Sequence, residues 1–101
     1  RRDKRELVSR LAVLLTHLLK WQYQADFRSK SWKSTLVTQR SEIESLLKDS
    51  PGLKYKLNDS AYPRAKKSAA AETGLPAKTF PEACPYSQEE ILDTDFLPKE
   101  I

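Results

Sequence analysis

Leu7, Leu11, Leu14, Leu18 and Trp21 recur at alternating spacings of four and three, and a second row, Val8, Ala12, Leu15 and Leu19, runs beside the first. Such spacing places each row along one side of an α-helix. Two adjacent rows make an apolar face wider than the seam of a two-stranded coiled coil, so the helix needs cover on a broad front. It is therefore expected at the centre of the fold. Arg5, Glu6, Ser9, Arg10 and Lys20 form the wet side, with Arg5, Arg10 and Lys20 laying their aliphatic stems along its edges. The periodic stretch ends near Tyr23 or Gln24.

Asp26 to Ser31 interrupt it, because Asp and Ser compete for backbone hydrogen bonds and favour caps over helix interiors. Ser29 or Ser31 is expected to cap a second helix, antiparallel to the first across this short break. Its core face reads Trp32, Leu36, Ile43 and Leu47, with Val37 and Leu46 flanking, while Lys33, Arg40, Glu44 and Lys48 are assigned to water and Glu44 is expected to pair with Lys48. Asp49-Ser50-Pro51-Gly52 ends this helix and starts a short one with Leu53 and Leu57 inward. Asn58-Asp59-Ser60 breaks the chain again, Ser60 acting as a cap with Pro63 in the first turn that follows. Ala61, Tyr62, Ala65, Ala69 and Ala70 then give a small-residue face suited to close helix packing, and Thr73-Gly74-Leu75-Pro76 predicts a Schellman-type end. Residues 76–86 read as an extended strap pinned by Phe80 and Tyr86. Ser87-Gln88-Glu89-Glu90 is a capping box, stapled by Tyr86 and Ile91, for a short helix to about Asp93. Phe96 and Leu97 anchor the end ahead of Pro98 and a frayed tail.

The fold class that follows is all-α: a bundle of about three main helices plus short ones and a Pro-rich C-terminal loop, in a single domain over residues 1–101. Its expected core is Leu11, Leu15, Leu18, Trp21, Trp32, Leu36, Ile43 and Leu47. An all-β fold needs a turn signal every 8 to 12 residues or so, and the chain has only two glycines, Gly52 and Gly74.

Several short motifs, taken together and in order, resemble the bacterial "domain of unknown function 29" family. They are His17-Leu18-Leu19-Lys20-Trp21-Gln22-Tyr23-Gln24, Ser31-Trp32 with Gln39-Arg40 and Ile43, Ser50-Pro51, Ala71-Glu72-Thr73-Gly74-Leu75-Pro76, and Phe80-Pro81-Glu82 with Cys84-Pro85-Tyr86. The resemblance covers nearly the whole chain and implies a helical bundle from a bacterium, with a further N-terminal helical segment ahead of the position of Arg1. It brings no catalytic or binding role with it.

Function classes can be weighed from composition and spacing. No apolar run approaches the roughly 18–20 residues that span a bilayer, and no leader pattern is present, so no membrane partner is expected. One cysteine, Cys84, and one histidine, His17, cannot supply a four-ligand metal site, and two isolated glycines cannot form a phosphate-cradling loop, so neither a metal nor another cofactor is expected. A reducing cytoplasm is the natural compartment for a lone cysteine. His17, beside the Leu14/Leu18 row, reads as a packed edge residue with one hydrogen bond, since a catalytic base needs a nucleophile and an orienting partner. Cys84, near Glu82, reads as a small semi-buried hydrophobe.

The leading expectation is a non-enzymatic protein-interaction module, self-associating or binding another protein, because the two-row helix is expected to leave apolar surface for a partner or the N-terminal segment to cover. The alternative is nucleic-acid binding through Arg1, Arg2, Lys4, Arg5, Arg28, Lys30 and Lys33, with Trp21, Trp32, Tyr23 and Phe27 interleaved among cations as stacking platforms. Against it, residues 1–81 hold 17 Lys or Arg and 8 Asp or Glu while residues 82–101 hold 1 and 6, so an acidic end that folds back would mask a basic body. An enzyme of unknown reaction stands third, for want of convergent polar groups.

Overall fold

The computed structural model describes residues 2–56 and 61–101, with Arg2, Tyr55 and Lys56 described by backbone alone. Four α-helices follow in order, α1 (Arg2–Tyr23), α2 (Lys30–Asp49), α3 (Ala61–Thr73) and α4 (Gln88–Leu92), with 3-10 turns at Ala25–Phe27, Pro51–Lys56 and Ala77–Thr79. The protein is all-α. The inward Leu57 and the Ser60 cap expected from the sequence lie outside the described residues, as does Arg1.

α1 is the hub, packing against both α2 and α3. Leu7, Leu11, Leu14, Leu15, Leu18 and Leu19 have no exposed surface, and each adds about 1.5–3 kcal/mol of apolar burial. The leucines of both rows are thus enclosed by the chain itself while Val8 and Trp21 are half-buried, so the broad uncovered face expected of α1 is absent among the described residues. Its last carbonyls find partners: Lys20 O accepts from Gln24 N (2.8 Å), Trp21 O from Arg28 Nε (2.9 Å) and Gln22 O from Ile101 N (3.2 Å). The tail, expected to fray, therefore returns to the end of α1.

α3 presents Ala61, Ala65 and Ala69 to the core, and the missing side-chain bulk lets it approach α1 closely. Thr16 Oγ1 sits 2.6 Å from Ala12 O in its own helix and 3.4 Å from Ala65 O across the contact. The end of α3 differs from the Schellman expectation. Gly74, at φ +78°, donates its N–H to Ala70 O, while Leu75 N–H turns to Thr73 Oγ1 at 3.1 Å. That is the simpler left-handed cap, with the threonine hydroxyl taking the place of the second backbone bond.

Ser29 caps α2 by accepting from Trp32 N–H, and α4 carries the expected capping box between Ser87 and Glu90. The strap is not extended throughout, since Ala77–Thr79 forms a turn of 3-10 helix, but Phe80 and Tyr86 are buried as expected. Phe80 meets Tyr23 edge to face at 5.0 Å between ring centroids.

Five residues lie elsewhere than the sequence analysis placed them. Trp21 and Trp32 are half-buried at the rim, not in the core, because each ring lies beneath a cation. Leu47 is likewise only half-buried, packed against the core from outside. Val37 is 65% exposed, as α2 turns that side away from α1. Arg40, assigned to water, is 4% exposed. The expected Glu44–Lys48 ion pair is also missing among the described residues; the i,i+4 pair formed is Glu6–Arg10, at 2.9 Å.

Candidate functional site

Arg40 organises the face of α2 that meets the C-terminal segment. Leu36, Arg40, Ile43 and Leu47 follow one another at spacings of four, three and four, so the helix aims Arg40 inward whatever its charge. Its guanidinium donates from Nε to Ile91 O (2.9 Å), from Nη1 to Phe96 O (3.1 Å) and from Nη2 to Glu90 O (3.1 Å). Three carbonyls at the end of α4 and the turn beyond it are thereby fixed to α2 by one planar fork. Burial pushes the Arg40 pKa down, and the carboxylates of Asp93 and Asp95 act in the opposite direction. An arginine so far above neutrality keeps its charge throughout. The acidic end does fold back, and it folds onto Arg40.

Two depressions lie along this seam and meet at Arg40 and Thr94. The larger, about 350 Å³, is lined by Leu47, Pro51 and Leu92 with Arg40, Glu44, Lys48, Lys54 and Thr94 around them. The smaller, about 160 Å³, has Leu36, Val37 and Leu97 with Lys33 and Asp95 at its edge. The larger falls within the roughly 300–1,000 Å³ range usual for ligand clefts. Its charged lining is three cations, Arg40, Lys48 and Lys54, against one carboxylate, Glu44. The guanidinium of Arg40 is already committed to main-chain oxygens, which leaves the two lysines to set the character of the rim. Sequence reasoning missed this seam because it is made by segments some fifty residues apart; the inward spacing of Arg40 was the one signal that could have found it.

The seven cations proposed for nucleic acid are not brought together. Lys4 and Arg5 lie at the start of α1 with Arg64 of α3, around a shallow depression that also includes Val8 and Ser9. Arg28, Lys30 and Lys33 lie beyond the other end of α1, about 25 Å away at 1.5 Å per residue. Of Arg1 and the Arg2 side chain nothing is described. The aromatic platforms are occupied from within the chain. Arg28 lies 4.7 Å from the centroid of the Trp21 ring and Lys20 Nζ 4.7 Å from that of Trp32, while Lys20 also bonds Glu72 Oε1 at 2.8 Å, tying three helices together. A stacking base would have to displace contacts worth about 0.5–2 kcal/mol each. Tyr23 packs on Phe80, and Phe27 stands 66% exposed in the first 3-10 turn.

His17 Nδ1 contacts Val13 O at 2.9 Å, the single backbone hydrogen bond expected of an edge histidine. Cys84 is half-buried, with Sγ 3.6 Å from Tyr86 O. No group of three or more His, Cys, Asp or Glu side chains converges on a cation-sized site among the described residues. No described helix is long and apolar enough to cross a membrane.

Two phenols are strongly perturbed. Tyr62 OH donates to Pro81 O at 2.7 Å, and its pKa is pushed up to about 12, first by burial and then by Cys84, Tyr23 and Glu82. Tyr86 OH donates to Gln22 Oε1 at 2.8 Å and is pushed up further, again chiefly by burial. Both pin the strap in the protonated form. Their contribution to stability is therefore complete below an unfolded-state pKa of about 10 and is lost as pH rises toward 12 and beyond, by up to about 1.4 kcal/mol per pH unit for each phenol. Urea midpoints measured from pH 8 to 12 should fall above pH 10. The Tyr62→Phe/Tyr86→Phe double variant should fall less steeply, and parallel curves for the two proteins would refute the assignment.

The model of the family described as Domain of unknown function DUF29 matches residues 1–97 of the chain. No curated protein and no solved structure matches.

Proposed function

The chain belongs to the DUF29 family, and from that premise, which brings no activity with it, we propose that it is a non-enzymatic interaction module that docks another polypeptide along the seam between α2 and the C-terminal segment. The observation that carries this reading is the joined pair of apolar depressions on that seam, built on a rigid floor by the Arg40 fork and edged by Val37 at 65% exposure. Interfaces of this kind use an apolar centre with a polar rim. The strongly shifted titratable groups favour it over an enzyme: Arg40, Tyr62 and Tyr86 each donate to an internal oxygen and hold the fold together. The separation of the cations, with Trp21 and Trp32 already covered, favours a protein over a nucleic acid. A single cysteine suits a reducing compartment, and the proposal places the module in the cytoplasm.

A photo-cross-linking residue at Val37 or Thr94 is expected to capture a discrete polypeptide in extracts of the source cells, while the same residue at Lys67, exposed on α3, captures none. No adduct at either groove position, or the same adducts at all three positions, would end the reading.

A further inference from the structure

We infer that the occupant of the seam is an extended acidic segment carrying two apolar anchor side chains four residues apart, an inference that rests on the docking role proposed above. The two depressions are separate hollows, of about 350 and 160 Å³, joined only at Arg40 and Thr94. On α2 the two share Arg40, and away from it their apolar linings are Leu36 and Val37 for the smaller and Leu47 for the larger, of which Val37 and Leu47 serve as markers. Ten residues of helix separate these markers, a distance of about 15 Å.

A docked helix presents apolar side chains at i, i+3, i+4 and i+7, and so requires one continuous groove. An extended chain advances about 3.3–3.6 Å per residue and returns to the same face at every second position, so its residues i and i+4 stand about 14 Å apart on one side. That matches two separated hollows. The sign of the charge follows from the rim. Lys48 and Lys54 flank the larger hollow and outnumber Glu44, whereas Lys33 and Asp95 balance at the smaller one. Carboxylates are therefore expected two positions to either side of the second anchor, on the anchor's own face, where they meet the two lysines without displacing any bond that Arg40 makes.

The probe is a blocked nine-residue peptide with leucine at its third and seventh positions, glutamate at its fifth and ninth, on the same face as the leucines, and serine elsewhere, titrated into the isotope-labelled full chain and followed by NMR. Shifts are expected at Val37, Leu47, Lys48 and Leu92. Affinity should fall about five- to tenfold when the glutamates become glutamines, and by a similar factor in the Lys48→Gln/Lys54→Gln variant, as for a pair of exposed charge contacts. Moving the second leucine to the sixth position, on the opposite face of an extended chain, should abolish the shifts at one hollow.

Equal binding of the glutamine peptide overturns the acidic assignment, and equal binding of the shifted-leucine peptide overturns the extended two-anchor assignment; in both cases docking at the seam stands. If no peptide perturbs the seam while the cross-linkers at Val37 and Thr94 still capture a partner, the inference fails and the docking role survives. If both experiments are blank, both fail.

Discussion

Replacement of Arg40 by methionine is expected to lower unfolding stability by about 2–4 kcal/mol and to release residues 88–97 from the body of the protein. A buried charge is often a poor investment, and exchanging a buried ion pair for apolar side chains can be neutral. Arg40 differs because its partners are main-chain carbonyls of Glu90, Ile91 and Phe96, which no substitution at position 40 removes. Methionine fills much of the space, yet leaves three acceptors without their donor in a partly dry seam. At roughly 4–8 °C per kcal/mol for a domain of this size, the melting temperature should fall by at least about 8 °C. Amide exchange should accelerate across α4 and the turn beyond it, well before α1 is affected. Arg40→Lys is expected to recover little, because an ammonium is a point donor and cannot span three carbonyls arranged for a planar fork. A methionine variant within about 0.5 kcal/mol of the parent would show that the fork is dispensable.

Leu18→Ala is expected to cost about 3–5 kcal/mol, the range for truncating a fully enclosed leucine whose surroundings cannot collapse into the space. Leu18 has no exposed surface and sits in α1, which meets α2 and α3 on different sides. A small domain has about 5–15 kcal/mol in total, so this one change removes a large part of its margin. Leu18→Met, which keeps the volume, should cost less than about 1.5 kcal/mol. Val13→Ala, on the 38% exposed side of the same helix, should stay within about 0.5 kcal/mol. Chemical denaturation of the three variants measures the contrast. Similar losses at Leu18 and Val13 would mean that α1 is not enclosed as described.

The two leucine rows were legible because a helical period repeats locally: Leu7 to Leu19 all went where their spacing put them. Local chemistry also gave the Ser29 cap, the Ser87/Glu90 capping box and the left-handed glycine at Gly74. The misreadings came where residue type was set against position. Arg40 was given to water for its charge although it stands on the inward row, and Trp21 and Trp32 were given to the core for their size although cations cover their faces. The seam itself left little trace, since it depends on which carbonyls of a segment some fifty residues away come to face Arg40.

By itself, then, the sequence determined that this protein is helical, where α1, α2 and α3 end, that Ser87 starts α4, and that α1 is the helix the others enclose. These follow from hydrogen bonds and apolar contacts made within a few residues along the chain. Only the tertiary structure decided that the C-terminal segment closes over α2, that Arg40 is its fastening, and that two partly apolar hollows open along their seam. Those outcomes depend on distances between segments remote in sequence, and a burial cost as large as that of a guanidinium is met only when such segments supply its acceptors.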